Sequence, residues 1–297
     1  MSALPHVNQW KVQQTPVRPI RTIVHNDDPF GYSTRLLCGT PTRGTVRIEW
    51  HNAMRGLVTP TNWSMVSMCQ PMSTFIPVRF QVADAQNIIV KEMIARDFEW
   101  LLLLEDDVIP PPDMLIRLNE YMHAADTPVV SGLYFTKSDP SEPLVYKGRG
   151  SGAFVDFNLG DKIRCDGVPT GCLLVHQALL RAMWEDAEEY AVAGNLTRRV
   201  FESATRAYVD PTTGSVSTKA CTSDLDWCWR VIDGGYMRKA GWSKFDGDEP
   251  FLVDTGIQCG HIGIDGRVFP GDRVTLRRPV DLGVSVEEKT GLAEQVG

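Results

Sequence analysis

A chain of 297 residues, 43% hydrophobic and 23% charged, has the composition of an ordinary soluble globular protein and enough material for a substantial core. Its formal charge of −7 disfavours nucleic acid as a partner. No apolar run approaches the roughly 18 residues of a membrane span. The opening MSALPHVNQW carries no basic segment followed by an apolar one, so a cytoplasmic location without span or secretory signal is expected.

Residues 1–30 are polar, proline-bearing and aperiodic, and read as an N-terminal arm. The stretch RLLCGTPTRG, residues 35–44, reads as a short strand running into a loop punctuated by Gly39, Pro41 and Gly44. A helix is expected over 45–57 and a strand over 74–80, interrupted by Pro77. Val82, Ala85, Ile89 and Met93 recur at helical spacing and predict a helix over 82–95.

The segment WLLLLEDDVIPPPD, residues 100–113, is the most informative of the chain. Four consecutive leucines predict a strand buried on both faces. Glu105, Asp106 and Asp107 follow without a spacer, and three prolines forbid the strand from continuing. Carboxylates cannot join a buried run without a large desolvation cost, so they belong at the strand's C-terminal end, where open α/β sheets bind ligands. Clustered oxygen ligands at such an edge suit Mg²⁺ or Mn²⁺ holding phosphates. An acidic surface loop is the plainer alternative. Asp113 can cap a following helix that carries Leu115, Leu118 and Met122 on one face.

Further strands are expected over 128–135 and 168–176, with a helix over 177–184. Residues 137–166 are rich in Gly, Ser and Asp. Residues 185–215 are charged and predict a variable helical excursion. A helix is expected over 224–233, and a strand and turn over 249–267. The tail beyond 275 is polar and acidic. The seven cysteines, at 38, 69, 165, 172, 221, 228 and 259, include no CxxC pair, and reduced thiols are expected. Cys172 and Cys228 lie in apolar surroundings, as small core residues do.

Taken in order, the GTPTRG loop, the helix containing RFQVADAQN, the EDD strand end, GLYF, VPTGCLLVH, SDLDWCWR and CGHIG resemble a GT-A glycosyltransferase. The likeness is strongest to the large inverting family of nucleotide-sugar transferases, with its bacterial and phage members, and runs from about residue 36 to 267. It implies an α/β fold with a mainly parallel, Rossmann-like sheet flanked by helices and a C-terminal acceptor-side region. The corresponding division is an arm (1–30), a nucleotide-sugar-binding half (31–136), an acceptor and catalytic half of the same domain (137–275), and a tail (276–297).

The resemblance also implies roles. Asp107 matches the metal position of the "DxD" motif, with His261 as a second ligand of Mn²⁺ or Mg²⁺. Glu105 stands where Asp is commonest. Thr40, Pro41 and Arg43 match the nucleoside loop, and Asp84, Glu105, Asp106 and Gly171 complete the donor-binding set. Asp224 matches the general base, although Ser223 replaces the Glu that usually precedes it. Residues two apart on a helix do not share a face, so Asp224 and Asp226 cannot both reach one substrate. The plainer readings are a solvated Arg43, packing roles for Asp84 and Gly171, a turn histidine at 261, an N-capping Asp224, and core tryptophans at 227 and 229.

The implied function is metal-dependent transfer of a sugar, expected from a UDP-sugar, to a hydroxyl acceptor of unknown kind, with inversion favoured. Alternatives are a nucleotide-sugar-binding module without turnover, and a glycoside hydrolase using Asp107 and Asp224.

Overall fold

The computed structural model describes residues 36–60, 73–203, 205–209, 212 and 214–271. The expected arm over 1–30 and tail over 276–297 lie outside these.

The EDD strand is the central element. β3 (Trp100–Leu104) is buried along its whole length, and its residues divide alternately between two cores. Leu101 and Leu103 join one core with Ile89, Met93, Leu173, Val175 and Leu179. Trp100, Leu102 and Leu104 join the other with Met114, Leu115, Leu118, Val130 and Leu174. Side chains alternate across a strand, so a run of four leucines requires an apolar layer on each face.

The helices supply those layers. α1 (Ile48–Arg55), α2 (Val82–Ala95), α3 (Met114–Ala124) and α4 (Gln177–Asp186) flank a seven-stranded sheet. With β1 (Leu36–Gly39), β2 (Ser73–Phe75), β5 (Val129–Leu133), β6 (Lys162–Cys165), β7 (Cys172–His176) and β12 (Phe251–Gln258), its order is β2-β1-β3-β7-β5-β12-β6. β1 is parallel to β2 and β3, and β12 is parallel to β5. β7 lies antiparallel between β3 and β5, and β6 is antiparallel to β12. Five of the seven strands therefore share one direction. This is the mainly parallel, helix-flanked α/β sheet expected from the sequence, and it takes strands from both halves of the chain.

Two expectations are corrected, and one short strand is added. The main strand stops before the acid triplet, as expected, and the prolines end a second strand that follows it. β4 (Val108–Ile109) intervenes and leaves the main sheet to pair with β13 (Gly260–Ile262), which also pairs with β14 (Val268–Phe269). Asp113 stands at the start of α3 but makes no side-chain cap; its carboxylate instead pairs with Arg117 at 2.6 Å. The expected helical excursion is a pair of antiparallel hairpins, β8 (Glu189–Val192) with β9 (Asn195–Arg198) and β10 (Thr205–Val209) with β11 (Val216–Ala220). The first hairpin is tied to α2, where the Asn87 side chain donates to the Tyr190 hydroxyl and the Asn87 carbonyl accepts from the Thr197 hydroxyl. Those contacts are remote in sequence and leave no local periodicity.

α5 (Ser223–Asp233) carries the SDLDWCWR motif and is followed by α6 (Tyr236–Lys239). Trp227 is fully buried and stacks on Phe201 and Phe251 at 5.5 and 5.6 Å between ring centroids. It is therefore a core residue. Trp227→Ala should cost about 3–5 kcal/mol, measured by urea denaturation; a loss below about 1 kcal/mol would contradict this packing. Trp229 is half-buried under the Arg149 guanidinium. Cys172 and Cys228 are buried free thiols. Among the described residues no helix is long and apolar enough to cross a membrane.

Candidate active site

The acid triplet occupies the turn between β3 and β4, at the C-terminal edge of the parallel strands. The Val108 N–H closes that turn on the Glu105 carbonyl at 3.2 Å, and the Glu105 N–H donates to the Gly171 carbonyl at 3.0 Å. All three carboxylates line a cavity of about 710 Å³, together with Pro41, Thr42, Arg43, Arg47, Arg79, Phe80, Lys137 and Ile262. That size suits a small-molecule site.

The short β4 strand brings His261 to Asp107. β13 pairs antiparallel with β4, setting His261 opposite Val108, and the Ile262 N–H donates to the Asp107 carbonyl at 2.7 Å. His261 Nδ1 lies 2.6 Å from the Phe135 carbonyl. A carbonyl only accepts, so Nδ1 carries the proton and Nε2 presents a bare lone pair. Burial lowers the imidazole's basicity, and Lys137 adds to this, against the opposing influence of Phe135 and Asp107. His261 Nε2 lies 3.8 Å from Asp107 Oδ1. That oxygen is buried and accepts no hydrogen bond. The imidazole lone pair and this carboxylate oxygen therefore face one another. Ligands each about 2.1 Å from one ion lie about 3.0 Å apart when cis in an octahedral shell and about 4.2 Å apart when trans. At 3.8 Å the pair is close enough to share a divalent ion after a small closing shift.

No group of three or more His, Cys, Asp or Glu residues placed for a metal occurs among the described residues. A two-residue set suits an ion that completes its shell with water and phosphate oxygens, as Mg²⁺ does. Imidazole shifts the preference toward Mn²⁺.

The other carboxylates have distinct environments. Asp106 Oδ2 accepts from the Thr42 hydroxyl at 2.5 Å. Burial raises the Asp106 pKa, and the Thr42 bond opposes that rise. Glu105 Oε1 accepts from Thr170 at 3.2 Å, and Thr170 accepts from Gln86 at 2.9 Å. Burial, reinforced by the charges of Asp107 and Asp224, pushes Glu105 up to about 8. The charge of Asp224 raises the pKa values of Glu105, Tyr134 and Tyr146, so its carboxylate lies near that group, although it does not line the cavity. It stands in the first turn of α5, with Oδ1 accepting from the Leu225 N–H at 2.9 Å, and burial raises its pKa. Asp226 is fully buried, with Arg230 at 3.9 Å from Oδ2. The two carboxylates lie on different faces of the helix, as the spacing predicts.

Pro41, Arg43, Glu105, Asp106 and Asp107 share the cavity wall. Thr40 is buried, and its N–H donates to the Phe75 carbonyl at 3.0 Å. Asp84 accepts from Tyr190 of the β8–β9 hairpin at 2.7 Å. Gly171 packs beneath Tyr134; an added Cβ would lie 2.4 Å from the tyrosine oxygen, and the Gly171 N–H donates to that oxygen at 2.6 Å. Tyr134 also meets His261 edge-to-face.

Thr42, Lys137 and Arg79 are among the cavity residues that escape sequence reasoning. Thr42 is indistinguishable from Thr40 by type, yet it alone reaches Asp106. Lys137 follows β5 and pairs with Asp107 Oδ2 at 2.5 Å. Its position just past a predicted strand end was the available signal. Arg79 reaches the wall because its N–H donates to the Thr42 carbonyl at 2.9 Å, with a left-handed backbone at φ 67°. A non-glycine residue held there costs about 1–3 kcal/mol, and such strain concentrates at functional sites.

No family model and no curated protein matches the chain. Solved structures resemble it at low identity. A197 from STIV is 14% identical, with a TM-score of 0.47 over 83% of this chain and 99% of that one. The S. aureus TarS 1–349 complex with UDP-GlcNAc is 10% identical, with a TM-score of 0.37 over 76% of this chain and 57% of that one. A glycosyltransferase involved in glycosylating the major capsid of PBCV-1 is 10% identical, with a TM-score of 0.29 over 51% and 66%. Likeness at this level adds no step to the functional argument.

Proposed function

We propose that the protein is a metal-dependent glycosyltransferase that moves a sugar from a nucleoside-diphosphate donor, most simply a UDP-sugar, to a hydroxyl acceptor. The observation that carries this reading is the pair Asp107 Oδ1 and His261 Nε2, facing each other at 3.8 Å beside a cavity lined by Asp107, Arg43, Arg47, Arg79 and Lys137. Carboxylates and cations together on one wall suit a phosphate ligand that arrives with its own divalent ion. A hydrolase acting on a neutral glycan has no use for four cations there.

In this reading Asp107 and His261 hold Mn²⁺ or Mg²⁺. The ion, when bound, neutralises charge that develops on the leaving diphosphate. The arginines draw the anionic donor into the cavity. Pro41, Thr42 and Phe80 contribute wall surface for the nucleoside, and the Thr42 hydroxyl holds Asp106 in one orientation. Glu105 contributes to the donor-binding wall. Asp224 removes the acceptor proton as the hydroxyl oxygen attacks the anomeric carbon. Inversion is the outcome that one such base supports.

A thermal-shift screen of nucleotide sugars with and without Mn²⁺ tests the donor, since ligand binding raises apparent stability. A donor dependent on Mn²⁺ is expected, with nucleoside diphosphate released only when acceptor is added. Donor binding without release under any acceptor would favour a binding module. Turnover of a glycan without nucleotide would favour a hydrolase.

A further inference from the structure

We infer that Lys137 is a resident counter-cation of Asp107 that makes divalent-ion binding and diphosphate binding mutually dependent. This rests on the donor-site reading above and assigns to Lys137 the coupling behind the Mn²⁺ dependence that reading expects. Lys137 Nζ lies 2.5 Å from Asp107 Oδ2, while Oδ1 faces His261 Nε2 at 3.8 Å and accepts no hydrogen bond. The two oxygens of one carboxylate thus have separate duties. The ammonium fixes the carboxylate plane through Oδ2, which aims Oδ1 at the imidazole. Backbone geometry holds the arrangement, because Phe135, two residues before Lys137, fixes the His261 ring through its carbonyl.

This has an electrostatic consequence. An ion on Oδ1 and Nε2 stands within a few ångströms of a fixed ammonium, and like charges at that range repel appreciably even near a protein surface. Lys137 therefore weakens the binding of a bare divalent ion. The ammonium also lines the cavity and is one-third exposed, so it is available to an anion. A diphosphate that contacts both cations removes their repulsion. Each ligand then binds better with the other present, and by linkage the enhancement is the same in both directions. The site stays poorly loaded with metal until a nucleoside diphosphate arrives.

The test compares wild type, Lys137→Met and Lys137→Arg. Mn²⁺ binding is measured alone by electron paramagnetic resonance. Inorganic diphosphate and UDP are titrated calorimetrically in EDTA and again with Mn²⁺. Lys137→Met should bind bare Mn²⁺ several-fold more tightly and diphosphate in EDTA about tenfold more weakly. The enhancement of Mn²⁺ affinity by UDP should shrink in that variant and persist in Lys137→Arg. Unchanged or weaker Mn²⁺ binding in Lys137→Met, or unchanged diphosphate binding in EDTA, overturns the inference. If wild type binds Mn²⁺ but neither UDP nor diphosphate under any condition, the donor-site reading falls as well. The Mn²⁺ comparison separates the two failures. The lysine is a partly exposed surface residue, so the methionine variant is expected to fold, and a thermal melt checks this.

Discussion

Asp107→Ala should abolish Mn²⁺-dependent UDP binding while the protein stays folded. Losing an outer partner of a metal ligand already costs about 10–100-fold in affinity, so losing one of only two protein ligands should cost at least on the order of 10². The fold should tolerate the change. The side chain is about one-third exposed, Oδ1 accepts no hydrogen bond, and Oδ2 pairs with an equally exposed lysine. Such partly exposed pairs contribute about 0–1 kcal/mol. Calorimetric titration of UDP with and without Mn²⁺, beside a denaturant melt, reads both quantities. UDP affinity that is unchanged in the presence of Mn²⁺ would remove Asp107 from the metal site. A collapse of stability would instead make the residue structural.

Asp224→Asn should lower turnover by a factor on the order of 10² or more, with donor binding retained. The amide is nearly isosteric and keeps the carbonyl oxygen that accepts from the Leu225 N–H, but it cannot take a proton. Burial raises the Asp224 pKa, so the acid limb of the rate profile should lie above the ordinary carboxylate range. The sign follows directly. The base works only when ionised, so the rate falls as pH drops through that raised value, and this limb disappears in the asparagine variant. Asp226→Asn supplies the contrast. That carboxylate is sealed in the core beside Arg230, so its replacement should affect stability before chemistry. Full turnover in Asp224→Asn with loss in Asp226→Asn would reverse the assignment. Full turnover in both would favour a retaining route, which the anomeric configuration of the product, read by NMR, decides.

Sequence alone determined the elements whose causes are local. The helix over 82–95 was legible because Ala85, Ile89 and Met93 repeat at helical spacing over one buried face, although Val82, the first residue of that pattern, is exposed. β3 was legible because four leucines followed by three carboxylates admit one arrangement, a strand buried on both faces that opens at its end. The separation of Asp224 from Asp226 followed from helix geometry. Tertiary structure decided whatever depended on partners far away in the chain. Val108–Ile109 is too short to signal a strand, yet its pairing with Gly260–Ile262 is what sets His261 beside Asp107. The excursion over 185–215 contains hairpins, one of them held against α2 by Asn87, about a hundred residues earlier. Thr42 and Lys137 reach Asp106 and Asp107 across 64 and 30 residues of sequence. Periodicity records which face of an element is buried. It carries no information about which distant side chain completes a hydrogen bond or a charge pair, because that depends on the register and crossing of elements in the folded chain.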